Sequence, residues 1–331
     1  MANSRLGMET KAITEGAVMA GLTAVLAMTG IYIPMLAPVV MLVWTLPVVV
    51  ICLHHGMRAG ALTMAVAGLV ILIISTPLNA LSMLIRSAGP ALALGFGLHR
   101  SWRTEKTLVY TTAAAFIGIA ASLAISIFVM GISFAEMFSI DGETVSEIVK
   151  MAADYGLLTS IKMTAAELTA YITEIFALMI YLLPAILLIS SLTTALTNFM
   201  VAQLVLGKLR ISLPPVTKLA DFQLPLPFIY GIIGGIGLSV AGRYLFPGDP
   251  TLPVAGQNIT IIFLALYFFQ GMGVISHYIR KASPQSQRFY KVLLIVAIFI
   301  TFFYLLVPIC FVGVADVFMD FRGLDLLQKK K

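Results

Sequence analysis

Charge is what this 331-residue sequence has least of: 11% of its residues are Asp, Glu, Lys or Arg, against about a quarter in soluble domains. With 60% hydrophobic residues beside that shortage, a soluble globular domain is excluded. Cysteine is scarce as well. Cys52 and Cys310 lie inside apolar runs and supply neither a disulfide framework nor metal-ligand spacing. There is no P-loop, no HExxH and no zinc cluster, and His54 with His55 forms an isolated pair without further ligands. GIIGGIG (231–237) imitates a nucleotide-binding glycine loop, but it sits within a spanning-length apolar run and lacks the strand, turn and helix such a loop needs. These absences predict a protein that is not an enzyme, holds no metal or cofactor and binds no nucleic acid. The net charge of +6 reads as topology, because Lys and Arg collect on cytoplasmic loops.

What is abundant is apolar sequence in runs near the roughly 20 residues a helix needs to cross a bilayer. Nine runs qualify, at about 13–33, 36–53, 57–75, 78–98, 107–131, 173–206, 224–246, 256–279 and 290–313. The expected fold is an all-α polytopic helix bundle forming a single membrane domain over 1–331. The opening MANSRLGMETKAITEG mixes both charge signs, so the run behind it reads as a retained first helix rather than an export signal. The sixth run exceeds one upright crossing and contains Pro184, which predicts tilt, a kink or an extension. Basic segments at 54–58, 99–106, 207–210 and 279–291 alternate with uncharged ones at 32–37 and 75–79, which predicts a cytoplasmic amino terminus. Nine spans would leave the QKKK tail outside.

The large polar insertion, 132–172, is acidic. Thr144 with Glu147 and Thr164 with Glu167 read as capping boxes, each followed by one apolar face, which predicts two short amphipathic helices on the outer membrane surface.

Several polar groups interrupt the apolar runs. Arg86 lies near the middle of LNALSMLIRSAGPALALGFGLH (78–99), where a charge costs roughly 2.5–3.5 kcal/mol on insertion scales. Asn79, Ser82, Arg86 and Gly89 share one helical stripe, and Arg243 follows Gly231, Gly235 and Ser239 at four-residue steps. Two arginines on small-residue faces predict an anion pocket, because guanidinium matches carboxylate and phosphate with paired hydrogen bonds. Asn79, Ser82, Arg86, Arg243 and Gln270 are the candidate substrate-binding residues; Asn198, Gln203 and His277 are further intramembrane polar groups. Other accounts stay open: Arg86 paired with Glu174 or Asp316, and Arg243 snorkelling to the headgroups. In the tail, Asp316, Asp320, Arg322 and Asp325 suit a self-satisfied ion cluster, a cation or a partner.

Small residues form the other pattern. Gly16, Ala20 and Ala24 make one ladder in the first run, Ala17 with Gly21 a second, and Gly231 with Gly235 is spaced as GxxxG. Such faces pack closely, within the chain or against a partner.

The opening TEGAVMAGLTAVLAMTGIYIPMLAPVVMLVWTLPVVVICLHHGMRAG (14–60) and the closing GVADVFMDFRG (313–323) resemble the YybS-like family of predicted bacterial membrane proteins. The opening is also distantly similar to the substrate-binding S components of energy-coupling-factor vitamin transporters. That resemblance implies six S-component-like helices over 1–206, docking on a membrane coupling subunit with ATPases through Gly16, Ala20 and Ala24, and a site open to the outside. Residues 207–331 depart from it by adding three helices and a tail, which could occupy the coupling surface. The resulting expectation is a bacterial inner-membrane protein in the lipid bilayer that binds or transports a small anionic or amphiphilic solute. The alternative is a membrane assembly or scaffold protein binding other membrane proteins; a lipid-processing enzyme comes third.

Overall fold

A computed structural model describes residues 2–131, 133, 136, 139–208 and 219–324, and no strand occurs among them. Arg210 of the GKLR segment, Asp325 and the closing QKKK lie outside the described residues. The helices are α1 (Ala2–Tyr32), α2 (Ala37–Val43), α3 (Leu46–His55), α4 (Met57–Ile74), α5 (Pro77–His99), α6 (Thr104–Met130), α7 (Gly142–Asp154), α8 (Leu157–Ile161), α9 (Ala165–Lys208), α10 (Ile229–Leu245), α11 (Thr251–Lys281) and α12 (Pro284–Met319).

Among the described residues, seven stretches are long and apolar enough to cross a membrane; they lie in α1, α4, α5, α6, α9, α10 and α11. The remaining two of the nine expected runs are the second and the ninth. The second run, 36–53, breaks into α2 and α3 at Trp44 and Thr45, where Pro47 opens α3 as an N-terminal proline does. The ninth, 290–313, lies within α12, a single helix of 36 residues.

The insertion also differs from expectation. Asp141, not Thr144, caps α7, its carboxylate accepting from the Thr144 amide at 2.7 Å. The box at Thr164 forms as read, with Glu167 Oε2 accepting from the Thr164 amide at 2.8 Å and Thr164 Oγ1 from the Glu167 amide at 3.2 Å. It opens no short helix, however: α9 runs unbroken for 44 residues, so the second amphipathic stretch is the first turns of the sixth span.

By its contacts the chain divides into two compact units. The first comprises residues 1–180 and 186–214. Its centre is α3, LPVVVICLHH, which is buried from Leu46 to Val49 and again at Ile51 and Cys52, as a helix apolar on all sides must be. α3, α4 and α5 meet at Cys52, where a methyl group on Gly60 or Gly95 would come within 2.8 or 2.6 Å of the Cys52 Cβ. α5 and α6 pair as an antiparallel hairpin, with Gly89 facing Ala114 and Gly97 facing Thr107.

The second unit comprises 181–185 and 215–331. α10 and α11 form an antiparallel hairpin, Gly231 facing Phe263 and Gly242 facing Pro253. A piece of α9 belongs here for a chemical reason. Pro184 has no amide hydrogen to give the Ile180 carbonyl, which loosens this turn of α9, and the next donor and acceptor along are engaged from α11. Asn258 Oδ1 accepts from the Ala185 amide at 2.9 Å and its Nδ2 donates to the Tyr181 carbonyl at 2.7 Å. One side-chain amide thus bridges a backbone donor and acceptor beside the proline, the kind of support that lets proline persist in a spanning helix.

Candidate functional site

Spacing by four residues on α10 brings Gly235, Ser239 and Arg243 to one face, and that face meets the start of α11. At Gly235 and Gly256 the two backbones touch: a methyl on Gly256 would lie 2.5 Å from both the Gly235 carbonyl and the Ser239 amide. With no side chain filling the seam, a groove of about 300 Å³ runs beside it. Its polar lining is Arg243, Ser239, Gln257 and Thr260; its apolar lining is Ile236, Val240 and Ile261. Thr260 donates its hydroxyl to the Gly256 carbonyl at 2.8 Å. Arg243, Ser239 and Gln257 have no side-chain hydrogen bond or ion pair to any described residue, and Arg243 is exposed. Just beyond the end of α10, Asp249 accepts from the amide and hydroxyl of Thr251, and these two bonds hold its carboxyl below the usual carboxylate range.

Gln270 is not part of this groove. It is fully buried in a cluster built on α11, α12 and the turn after α12. Asp316 and Arg322 pair there at 2.7 Å, with side-chain exposures of 1% and 0%. Arg322 Nε also donates to Asp316, and Nη1 donates to the carbonyls of Ala220 and Phe222 at 3.1 and 2.7 Å. Gln270 donates to Asp316 at 3.0 Å and accepts from the Leu224 amide at 3.0 Å, which uses both ends of its amide. The tail cluster is thus satisfied within the chain, fastening residues 220–224 to α11 and α12. Asp320, in the left-handed region at φ 42°, and Gly323, at φ 67°, turn the chain so that Arg322 points back at Asp316. Outside this core, Arg280 forms a two-point pair with Asp221, 2.6 Å at the shorter contact.

In the first unit, Arg86 is exposed and pairs neither with Glu174 nor with Asp316; it has no partner among the described residues. Its backbone packs on α6, where a methyl on Gly118 would strike the carbonyls of Ile85 and Arg86. Asn79 is exposed and Ser82 half-buried. The ladder of Gly16, Ala20 and Ala24 is buried within the unit, Gly16 against Thr63 of α4, so the chain itself covers the face expected to dock a partner. The second ladder, Ala17 and Gly21, stays exposed.

Arg243 is therefore the one predicted substrate-binding residue in this groove. Gln257 and Thr260 join it from α11, and neither was singled out from sequence. Their four-residue neighbourhood with Gly256 is a signal that acquires meaning only once α10 and α11 are paired.

A family model described as "Predicted membrane protein (DUF2232)" matches residues 21–317. No curated protein and no solved structure matches the chain.

Proposed function

We propose, from the premise that this chain belongs to the DUF2232 family of predicted membrane proteins, that it is a non-enzymatic solute-binding protein of the membrane. Its ligand is a small anionic or amphiphilic molecule held at Arg243. The observation that carries this reading is a guanidinium with all its donors unspent, set in a groove with two other unspent polar groups and an apolar wall. Guanidinium binds oxyanions through two parallel hydrogen bonds, and the apolar wall suits the body of an amphiphile.

Transport is the role assigned here to that binding, supported by the resemblance of residues 14–60 to S components. On the same reading the protein lies in the bacterial inner membrane with its amino terminus cytoplasmic, and energy comes from a coupling subunit on another polypeptide. Such a subunit would meet a face other than the covered ladder of Gly16, Ala20 and Ala24.

The test is thermal unfolding of the purified chain in a non-ionic detergent, with and without dodecyl phosphate. A ligand at roughly one hundred times its Kd stabilises a protein by about 2.7 kcal/mol. The wild type is expected to gain stability of that order and Arg243→Ala none, while the unliganded variant melts as the wild type does. Equal stabilisation of both proteins removes Arg243 from the site and the reading with it.

A further inference from the structure

We infer that the occupant of the groove is a membrane lipid with a phosphate head, its phosphate at Arg243 and one acyl chain along Ile236, Val240 and Ile261. This rests on the reading above and narrows it to a ligand class.

The head follows from the donor set. A carboxylate presents only two oxygens, in one plane, and the Arg243 fork engages both. Gln257 and Ser239 line the same groove with their own polar groups uncommitted. Donors from three side chains on two helices suit a head with more acceptor oxygens than a carboxylate has, which a phosphate supplies.

The source follows from depth. Tyr230 and Tyr244 stand near the two ends of α10, 68% and 82% exposed. The apolar span ends at Leu245, just before the polar turn that holds Asp249. Exposed tyrosines favour membrane interfaces, and Tyr244 beside Arg243 stands at this end. The guanidinium therefore lies at the level where lipid phosphates lie, and snorkelling supplies the geometry of the site rather than an alternative to it.

The chain follows from the wall. Ile236 and Val240 are each 49% exposed, so the slot opens sideways along its length. Ile236 lies seven residues from Arg243, about 10 Å further from the interface. At about 300 Å³ the groove is at the lower limit of small-molecule pockets. It holds the head and the first part of one chain, and the rest of the lipid stays in the bilayer.

The experiment is native mass spectrometry of the delipidated full chain after incubation with phosphatidylcholine vesicles containing either phosphatidic acid or oleic acid, and separately with inorganic phosphate. Retention of phosphatidic acid over both other probes is expected. Arg243→Ala should lower it about ten- to a hundredfold, the cost of a hydrogen-bonded charge contact. Arg243→Lys, which keeps the charge and loses the fork, should fall between. Val240→Trp, which fills the slot at an exposed position, should lower retention at unchanged melting temperature. Oleate retained as well as phosphatidic acid overturns the phosphate head, and inorganic phosphate bound as tightly overturns the lipid; both leave the solute-binding reading standing. Full retention by Val240→Trp overturns the acyl placement. If no anionic probe is retained, or Arg243→Ala retains them all, the inference and the reading beneath it fail together.

Discussion

Two arginines of the second unit carry the same charge and do opposite things. Arg322 is sealed from solvent, with Nε and Nη2 on Asp316 and Nη1 on two backbone carbonyls. Arg243 is exposed on α10, with no partner among the described residues. The difference teaches that donor occupancy, rather than charge or position along a span, separates a cation that holds the fold from one that awaits a ligand. Gln270 and Gln257 repeat the lesson on α11. One amide is spent at both ends inside the cluster, and the other has no side-chain partner in the groove.

The hardest blow to that comparison falls on the spent pair. Asp316→Leu leaves Arg322 buried and unpaired, and breaking a buried ion pair from one side costs about 3–5 kcal/mol. Denaturant unfolding in detergent should register a loss of that size. Adding Arg322→Leu should recover part of it, because two apolar residues in place of a buried pair avoid the stranded charge. A double variant no more stable than Asp316→Leu would mean that the Arg322 bonds to Ala220 and Phe222, not its charge, dominate.

A smaller effect sharpens the neutral side of the comparison. Asn258→Leu strips partners from the Tyr181 carbonyl and the Ala185 amide, and each unsatisfied buried group costs about 1–3 kcal/mol. Pro184→Ala restores the helix's own ladder, so Asn258→Leu should cost less in that background. The expected signature is a double-mutant cycle in which the two substitutions couple by roughly 1 kcal/mol or more. Additive effects would show that Asn258 does not support the turn that proline loosens.

How much of this was legible beforehand depends on whether a feature is local. Apolar runs and the Thr164 box are local, and the helices they announce are present. The box could not report that its helix continues for 44 residues, because a capping pattern marks a start and carries no length. The break at Trp44 and Thr45 was signalled by Pro47, but apolarity continuous through 36–53 hid it. Arg243 was found from the stripe on its own helix. Gln257, Thr260 and the partners of Gln270 were not, since Gln270 meets Asp316 across 46 residues of sequence and no single-helix pattern encodes that register. The Gly16 ladder shows the same limit from the other side: small residues permit close approach without naming which helix approaches.

The mildest test carries the comparison to charges that sit in water. Asp141 is spent at the cap of α7, where the amide and hydroxyl of Thr144 each donate at 2.7 Å and hold its carboxyl below the usual carboxylate range. A carboxylate whose folded value lies below its unfolded one stabilises the fold above the unfolded value, roughly pH 3.9 for aspartate. That contribution is lost as the pH falls through the lower, folded value. Acidification below about pH 4 should therefore loosen α7 first, read as faster amide exchange across 142–154 while α3, at the centre of its unit, stays protected. Asn at the same position caps a helix about as well and does not titrate, so Asp141→Asn should flatten the pH dependence and leave the exchange at neutral pH unchanged. If the variant keeps the acid response, the cap is not its origin, and occupancy in solvent would carry less of the fold than occupancy in the buried cluster does.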